Sequence, residues 1–516
     1  MAIVETQYGK VEGAINNGVH SFKGIPFAAP PVGERRWRAP EPPAPWSGVR
    51  AANGDWGKQA WQVVTDNPNS PLAFIFNARN AEYRDEDCLQ LNVWTRGLDD
   101  DARPVLVWIH GGSFTGGTAG TPVYDGTSLV NRGDVVVVSI NYRLGAFGFL
   151  RLTELTDGRI PASGNEGLLD QVRALEWVRD NISAFGGDPG NVTILGESAG
   201  GASVAAHLAL GPSQGLFHRA MPISSVMNGP STLENAQQSA EGFLQQLGLS
   251  AKDDIDKLIA LDPEVLLNAA IEYGAQGGTF RPHIDGTLLP EPPLEAVKRG
   301  AADGIPVLVG TQRDEYRLFT CAQRSAKTAA GGSLVYANLD EAGLLAEVSK
   351  SPGDALGLID AYREILKGRG FATDPVSIYA AIQTGRRMRM PTIALAEALA
   401  ERGQPIYQYL FTAESPWDGG ILRACHAIFI GFLFGTHAYS ERSAEFFGQG
   451  EAADALSAHL QDAVISFART GNPRTEALAS WVAYDTQTRS TAIFGTPVEV
   501  ASAPLDEERV LWVGNR

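Results

Sequence analysis

Apolar residues along the chain fall into short continuous runs that alternate with amphipathic stretches. The runs at 104–109 and 135–140 are nearly all apolar, and the shorter run at 191–195 is β-branched and apolar, which is typical of buried strands. Between the last two, residues 168–181 carry apolar side chains over one broad helical face. Strands that alternate with helices in this order predict an α/β fold with a mostly parallel sheet covered on both faces.

Weaker patterns flank this core. Strands are also predicted at 2–6, 10–15, 89–94, 305–310 and 406–411. The first two alternate between apolar and polar positions, which predicts a small antiparallel edge at the N-terminus. Helical patterns fill 232–275 and 340–402, and another helix is predicted over 452–469. No repeat or separating linker is visible, so we predict a single catalytic domain over 1–516 with helical insertions at 232–275 and 340–402.

Composition narrows the classes of function. A net charge of −17 and a pI near 5.0 argue against a nucleic-acid or anionic-membrane partner, which requires a basic face. No apolar run is long enough for a membrane span, and the first residues lack the pattern of a signal peptide. Cys88, Cys321 and Cys425 are too few for a disulfide framework and lack metal-site spacing. We therefore expect a cytoplasmic protein with reduced thiols, and a monomer.

The pentapeptide Gly196-Glu197-Ser198-Ala199-Gly200 lies between the predicted strand at 191–195 and a stretch rich in helix formers. A G-x-S-x-G turn between a strand and a helix is typical of a nucleophile elbow, which lifts the serine hydroxyl clear of the sheet. Glycines two residues to either side of the serine let strand and helix pass closely. The alternative is a plain glycine turn, and the flanking strand and helix favour the nucleophile.

A serine nucleophile needs a base, and the base needs an orienting acid. Three histidines lie late in the chain, at His426, His437 and His459. His459 falls inside a predicted helix and is interpreted as structural. In the α/β-hydrolase order the histidine comes after the acid, and spacing alone leaves both His426 and His437 open.

The acid must follow a strand between Ser198 and that histidine. Asp314 and Glu315 follow the predicted strand that ends at Gly310. Asp285 precedes a glycine, which favours a turn residue. Spacing alone does not choose between Asp314 and Glu315.

A glycine-rich loop, His110-Gly111-Gly112-Ser113, follows the predicted strand at 104–109. A serine that attacks a carbonyl needs N–H donors aimed at the charge that develops on the carbonyl oxygen, and such a loop after an early strand supplies them together with the residue after the nucleophile, here Ala199. A simple turn would not need consecutive small residues, so we favour the oxyanion hole.

Motifs along nearly the whole chain resemble those of the type-B carboxylesterase (cholinesterase-like, para-nitrobenzyl esterase-like) family. They are GIPFA at 24–28, EDCLQLNV at 86–93, NYRLGAFGF at 141–149, GNEGLLDQ at 164–171, FGGDP at 185–189, GESAGG at 196–201 and FARTGNP at 467–473. The resemblance implies the α/β-hydrolase fold and hydrolysis of a small-molecule carboxylic ester through a serine acyl-enzyme, without a metal or organic cofactor.

The resemblance also implies roles for individual residues. It assigns Ser198 as nucleophile, Glu315 as the acid and His426 as the base. It assigns backbone oxyanion donors to Gly112, Ser113 and Ala199, a loop-shaping role to Gly111 and a role supporting the acid to Ser224. It implies two structural buried ion pairs, Arg36–Glu86 and Arg143–Asp170.

The chain departs from the family pattern at four places, of which two lie at the site itself and one concerns a disulfide; the fourth is the lack of a tryptophan between Trp61 and Trp94, which makes a choline ester an unexpected substrate. Phe429 stands where many members carry a glutamate three residues after the catalytic histidine, and Ser113 replaces a glycine or alanine. Cys88 lies where secreted relatives form a disulfide, but no cysteine precedes it. Two alternatives to ester hydrolysis remain: the same triad acting on carbamates or amides, and a non-catalytic binding protein of the same fold.

Overall fold

The computed structural model describes residues 2–54, 56–64, 81–225, 230–320 and 339–514. These described residues divide into two compact units, the first formed by 2–54, 56–64, 81–222 and 230–305, and the second by 223–225, 306–320 and 339–514. Each unit contains both strands and helices. The predicted single domain with insertions at 232–275 and 340–402 stays a prediction.

The first unit is built on a sheet whose strands occur in the order β1-β2-β3-β5-β7-β6-β8-β9, with β4 beside β2. They are β1 (Ala2–Thr6), β2 (Gly9–Asn16), β3 (Val19–Pro26), β4 (Val49–Ala51), β5 (Gln90–Thr95), β6 (Arg103–Ile109), β7 (Val136–Ile140), β8 (Gly187–Glu197) and β9 (Arg219–Ile223). β6 lies between β7 and β8 and runs parallel to both. The three buried strands that the apolar runs predict are therefore confirmed as neighbours.

The antiparallel part of this sheet is larger than predicted. It continues from β1 and β2 through β3 and β5 as far as β7. β3 is absent from the prediction because Gly24 and Pro26 read as extended loop residues. Its pairing with β5 shifts register between Phe22 and Ile25, so its burial does not alternate regularly.

The first unit contains eight α-helices in its described residues. They span Thr127–Gly133, Gly145–Phe149, Glu166–Asn181, Ala199–His207, Leu233–Leu247, Ile255–Ala260, Pro263–Ala275 and Pro293–Lys298. Helix Leu233–Leu247 shows how local sequence sets the bounds. The Thr232 hydroxyl accepts from the N–H of Asn235 at its start, and Gly248 ends it with a φ of +67°.

Both buried ion pairs implied by the resemblance are present. Arg36 Nη2 lies 2.5 Å from Glu86 Oε2, and Arg143 Nη2 lies 2.6 Å from Asp170 Oδ1. The guanidinium of Arg36 also donates to the backbone carbonyls of Ile259 and Leu261, at the end of helix Ile255–Ala260. The pair thereby ties part of the predicted insertion at 232–275 to the N-terminal segment.

The second unit carries strands in the order β10-β11-β12-β13, with β11 parallel to β10 and β12. They span Val307–Gln312, Ile406–Phe411, Ser490–Phe494 and Glu499–Ser502. Its helices are Glu341–Ser349, Ala355–Gly368, Pro375–Thr384, Met390–Glu401, Trp417–Gly420, Ile428–Phe434, Glu441–Phe447, Glu451–Thr470 and Asp506–Gly514. The helical pattern predicted for 340–402 is thus confirmed as four helices.

Two of the expectations drawn from composition can be compared with the structure. In the residues that it describes, no helix is long and apolar enough to cross a membrane. Cys88 and Cys425 are buried free thiols, whereas Cys321 lies outside the described residues.

Acid should weaken the fold through His207, at the end of helix Ala199–His207. Its imidazole is buried between Ser213 Oγ (2.7 Å) and Gln171 Oε1 (3.0 Å), and burial lowers its pKa from 6.5 to about 3. A lowered pKa in the folded state means that unfolding takes up a proton between these pH values, so stability is lost as the pH falls below 6.5. We expect H207Q to reduce the slope of unfolding free energy against pH by up to about 1.4 kcal/mol per pH unit. Urea unfolding between pH 4.5 and 6 measures it, and a slope equal to that of the unchanged protein would contradict it.

Candidate active site

Ser198 occupies a strained turn between β8 and helix Ala199–His207. Its φ of +60° and ψ of −119° lie outside the regions that side-chain-bearing residues favour. The glycines on either side make the turn possible. A Cβ on Gly200 would lie 2.0 Å from the backbone oxygen of Ile109 on β6, and one on Gly196 would lie 2.6 Å from the Gly200 backbone. The elbow therefore requires both glycines, as the pentapeptide predicts.

The loop after β6 reaches Ser198. A Cβ on Gly111 would lie 2.7 Å from the Glu197 backbone oxygen and 3.1 Å from Ser198 Cβ, so only glycine fits there. Gly112 has a φ of +113°, and a Cβ there would meet the Gly116 backbone at 2.2 Å. Gly111 thus shapes the approach of the loop to the elbow.

Three backbone N–H groups near Ser198 have no acceptor among the residues that the structure describes. They belong to Gly112, Ser113 and Ala199. Ser113 has a φ of +57°, in the left-handed region, and its side chain is exposed. Backbone donors without a partner near a nucleophile are what a developing oxyanion requires.

Polar contacts fix the glycine loop from both sides. The Gln62 side chain accepts from the N–H of Gly117 and donates to its carbonyl, both at 2.8 Å. The Tyr142 hydroxyl donates to the His110 carbonyl at 2.9 Å, and the two rings stack with centroids 4.5 Å apart. Burial lowers the pKa of His110 to about 4, so this ring is neutral at pH 7. Gln62, which sequence reasoning missed, carries no motif that would have revealed it.

In the second unit, Glu315 and His426 form a fully buried pair. Glu315 Oε2 lies 2.6 Å from His426 Nδ1, and the His426 N–H donates to the Glu315 backbone carbonyl at 3.1 Å. Both side chains have an exposed fraction of 0%. The acid and base that the resemblance implies are therefore in contact.

The competing residues have other partners. Asp314 Oδ2 accepts from Arg313 Nε at 2.8 Å, which directs its carboxylate toward arginine. His437 Nε2 lies 2.9 Å from Asp454 Oδ1. Asp285 Oδ1 accepts from the N–H groups of Thr287 and Leu289, which is the turn role that its sequence favours.

A further side chain, Gln312, contacts the Glu315 carboxylate. Its backbone N–H donates to Glu315 Oε1 at 2.8 Å, and its amide nitrogen, oriented toward the carboxylate, lies 3.0 Å from Oε2. The Gln312 amide also contacts Ser224 Oγ. Ser224 therefore reaches Glu315 through Gln312, a residue that sequence reasoning missed although it ends β10 three positions before the acid.

Phe429, one helical turn after His426, lies in an aromatic cluster. Its ring stacks on Tyr409 with centroids 5.1 Å apart and meets Phe411 edge-on at 5.8 Å. Phe429 is wholly buried. The place of the family glutamate is thus filled by apolar packing rather than by a carboxylate.

Comparisons with known proteins agree on one family. A family model described as "Carboxylesterase family" matches residues 1–512. The chain belongs to this family. It is 38% identical to a para-nitrobenzyl esterase of Bacillus subtilis (strain 168), over 98% of this chain and 97% of the relative. It is 32% identical to a phenmedipham hydrolase of Pseudarthrobacter oxydans, over 96% of this chain and 95% of that protein.

Solved structures of the family have the same fold. A carboxylesterase of Geobacillus stearothermophilus superposes with a TM-score of 0.86 at 38% identity, covering 99% of both chains. A thermophilic para-nitrobenzyl esterase superposes with a TM-score of 0.83 at 37% identity, covering 98% of this chain and 99% of the other. The α/β-hydrolase fold is therefore confirmed, and the family member is a serine hydrolase of carboxylic esters.

Proposed function

We propose that Ser198, Glu315 and His426 act together as the catalytic triad of this carboxylesterase. The observation that carries the proposal is the buried contact of 2.6 Å between Glu315 Oε2 and His426 Nδ1. With Nδ1 bound to the carboxylate, Nε2 is the ring nitrogen that exchanges protons with a substrate. A carboxylate in this position orients the imidazole and stabilises its charged form during the reaction.

The reaction runs in two stages, acylation of Ser198 and hydrolysis of the acyl-enzyme. Ser198 Oγ attacks the ester carbonyl while His426 Nε2 takes the hydroxyl proton, and the tetrahedral intermediate collapses when the same proton passes to the leaving alcohol. Water then attacks the acyl-enzyme with His426 again as base, which releases the acid and restores the serine. Protons and bonds balance without a metal or cofactor.

The N–H groups of Gly112, Ser113 and Ala199 stabilise the negative oxygen of each intermediate. Their lack of other acceptors among the described residues supports this role, because a donor already engaged would have to break a bond first. Gly111 keeps the loop close to the elbow, and Ser224 supports the acid through Gln312.

We infer a substrate class and setting from weaker features. A net charge of −17 favours neutral or cationic small-molecule esters over anionic ones. The free thiols of Cys88 and Cys425 are consistent with a cytoplasmic location. We further propose a monomer without a nucleic-acid partner, built as a single catalytic domain whose helical insertions lie at 232–275 and 340–402.

A substrate panel combined with covalent labelling tests the proposed function. We expect a serine-directed organophosphate to label Ser198 once per chain, and steady-state rates to rank a p-nitrophenyl ester above its matched carbamate and anilide. Labelling at another serine would contradict the triad. If the carbamate or the anilide were cleaved fastest, that bond and not the ester would be the preferred substrate. Equal rates on anionic and neutral esters at low salt would contradict the proposed charge preference.

A further inference from the structure

A cavity in the second unit is lined by many cationic side chains. Five arginines border it, at Arg313, Arg317, Arg369, Arg389 and Arg423, together with the carboxylates of Asp314 and Glu508. It is open to solvent, and the space among these residues measures about 360 Å³ when the solvent at its mouth is counted. Helix Pro375–Thr384 adds the hydroxyls of Ser377 and Thr384 to its wall.

Three of the arginines are neutralised by carboxylates. Arg313 pairs with Asp314 and Glu414, Arg369 with Glu507 and Glu508, and Arg389 with Glu508. The carboxylates at the cavity are thereby already engaged. Five guanidinium groups thus face the four carboxylates of Asp314, Glu414, Glu507 and Glu508, which leaves one net positive charge, and among the described residues Arg317 and Arg423 have the weakest carboxylate contacts of the five.

Arg317 is buried and has no carboxylate partner in the described part of the chain. Its exposed fraction is 8%, and its guanidinium donates to the Ile421 carbonyl (2.7 Å) and to Ser377 Oγ (3.3 Å). No carboxylate oxygen of the described residues lies within 4.0 Å of it. A guanidinium stays protonated at any physiological pH, and a buried charge without a counter-charge is costly.

Arg423 adds a second guanidinium with little compensation. Its closest carboxylate contact is Asp314 Oδ1 at 3.9 Å. Burial and the nearby positive charge of Arg317 lower the pKa of Arg423, so the two guanidinium groups are near enough to repel each other. Arg423 also holds a φ of +50° and lies 4.1 Å from the centre of the Phe371 ring, which keeps the side chain at the cavity.

We propose that this cavity binds a small tetrahedral oxyanion of the phosphate class. Guanidinium groups recognise such oxygens through paired N–H donors, and several can share one anion. The anion would supply the negative charge that Arg317 and Arg423 lack. Arg389 Nε, buried and without a hydrogen-bond partner in the described part of the chain, gives a further donor at the same wall.

Binding here would act on the segments that carry the acid and the base. Arg317 lies two residues after Glu315, and Arg423 lies three residues before His426. The Asp314 N–H donates to the Ala424 carbonyl at 2.9 Å, so the two segments are already joined by their backbones. An anion shared by Arg317 and Arg423 adds a second bridge between them.

Titration calorimetry on the full chain tests the proposal with inorganic phosphate at constant ionic strength set by chloride. We expect saturable binding of one phosphate per chain, with sulfate as competitor. Glycerol phosphate distinguishes a phosphate ester from the free ion, and tight binding of either supports the site. Absence of saturable binding, or tighter binding of acetate than of phosphate, would overturn the proposal.

Charge-removing variants locate the anion. We expect R317Q and R423Q each to weaken phosphate binding at least about tenfold, since each removes a charge-assisted pair. The matched control is R363Q, which removes an arginine that pairs with Glu341 away from the cavity. If R317Q does not fold, R423Q alone decides. Unchanged binding in R423Q, or an equal loss in R363Q, would exclude this cavity. Calorimetry needs no turnover, so failure here leaves the proposed triad untouched.

Discussion

Replacement of Ser198 by alanine is expected to lower kcat for a neutral p-nitrophenyl ester by at least about 10⁴-fold. The alanine keeps the backbone of the elbow but removes the oxygen that forms the acyl-enzyme. Residual catalysis then rests on substrate binding and the unengaged N–H groups of Gly112, Ser113 and Ala199. KM should change far less than kcat, because the missing bond exists only after attack.

The matched control for S198A is S203A, on the helix that follows the Ser198 turn. Ser203 Oγ is buried and donates to the Ala199 carbonyl at 3.0 Å, so the variant makes the same chemical change away from the nucleophile. We expect its kcat to stay within tenfold of the unchanged enzyme. A comparable collapse in S203A, or more than a tenth of the activity retained in S198A, would rule out Ser198 as nucleophile.

The second large effect is expected from E315Q, which should lower kcat by about 10³- to 10⁴-fold. Glutamine has nearly the shape of glutamate, but its amide nitrogen can donate to His426 Nδ1. That bond holds the imidazole in the wrong tautomer, with its proton on Nε2, where it cannot accept the serine proton. Steady-state kinetics with a neutral ester measure the loss, and a thermal unfolding midpoint near that of the unchanged protein shows that folding is retained.

The neighbouring variant D314N separates the two carboxylates. Asp314 accepts from Arg313 Nε and has no contact with His426 among the described residues. We expect D314N to retain at least a tenth of the original kcat, although losing an ion pair lowers stability. A larger loss in D314N than in E315Q would assign the acid role to Asp314 instead.

The central strands could be predicted because their burial produces apolar runs that are visible in the local sequence. β6 and β7 are buried along their whole length and nearly all of their residues are apolar, and β8 is buried from Val192 onward, where Val192, Ile194 and Leu195 mark it. β3 could not, since its outer residues are polar and its register shifts near Gly24 and Pro26. Its place depends on β5, about 70 residues later, and no local pattern records such a partner.

Some residues of the candidate site could likewise be predicted from the sequence, and others could not. Ser198 and the loop at 110–113 are marked by glycines that a sharp turn and close approach demand, so sequence reveals them. Asp314 and Glu315 are adjacent and chemically alike, and only the direction of each side chain separates them. Gln312 and Arg317 lie on the same segment, but their roles depend on contacts with Ser224 and Ile421, at distances along the chain that spacing does not encode.

The order in which the ribosome makes the chain has a consequence for the second unit. Arg389 takes its counter-charge from Glu508, 119 residues later, and both side chains are buried. At about 5–20 residues per second, a nascent chain waits roughly 6–24 s between making the cation and making the carboxylate. Until then, burying Arg389 leaves its charge without this partner. Packing around Arg389 should therefore be completed late in synthesis, and ribosome-bound chains stalled before Glu508 should be cleaved by protease near Arg389 more readily than chains stalled beyond it.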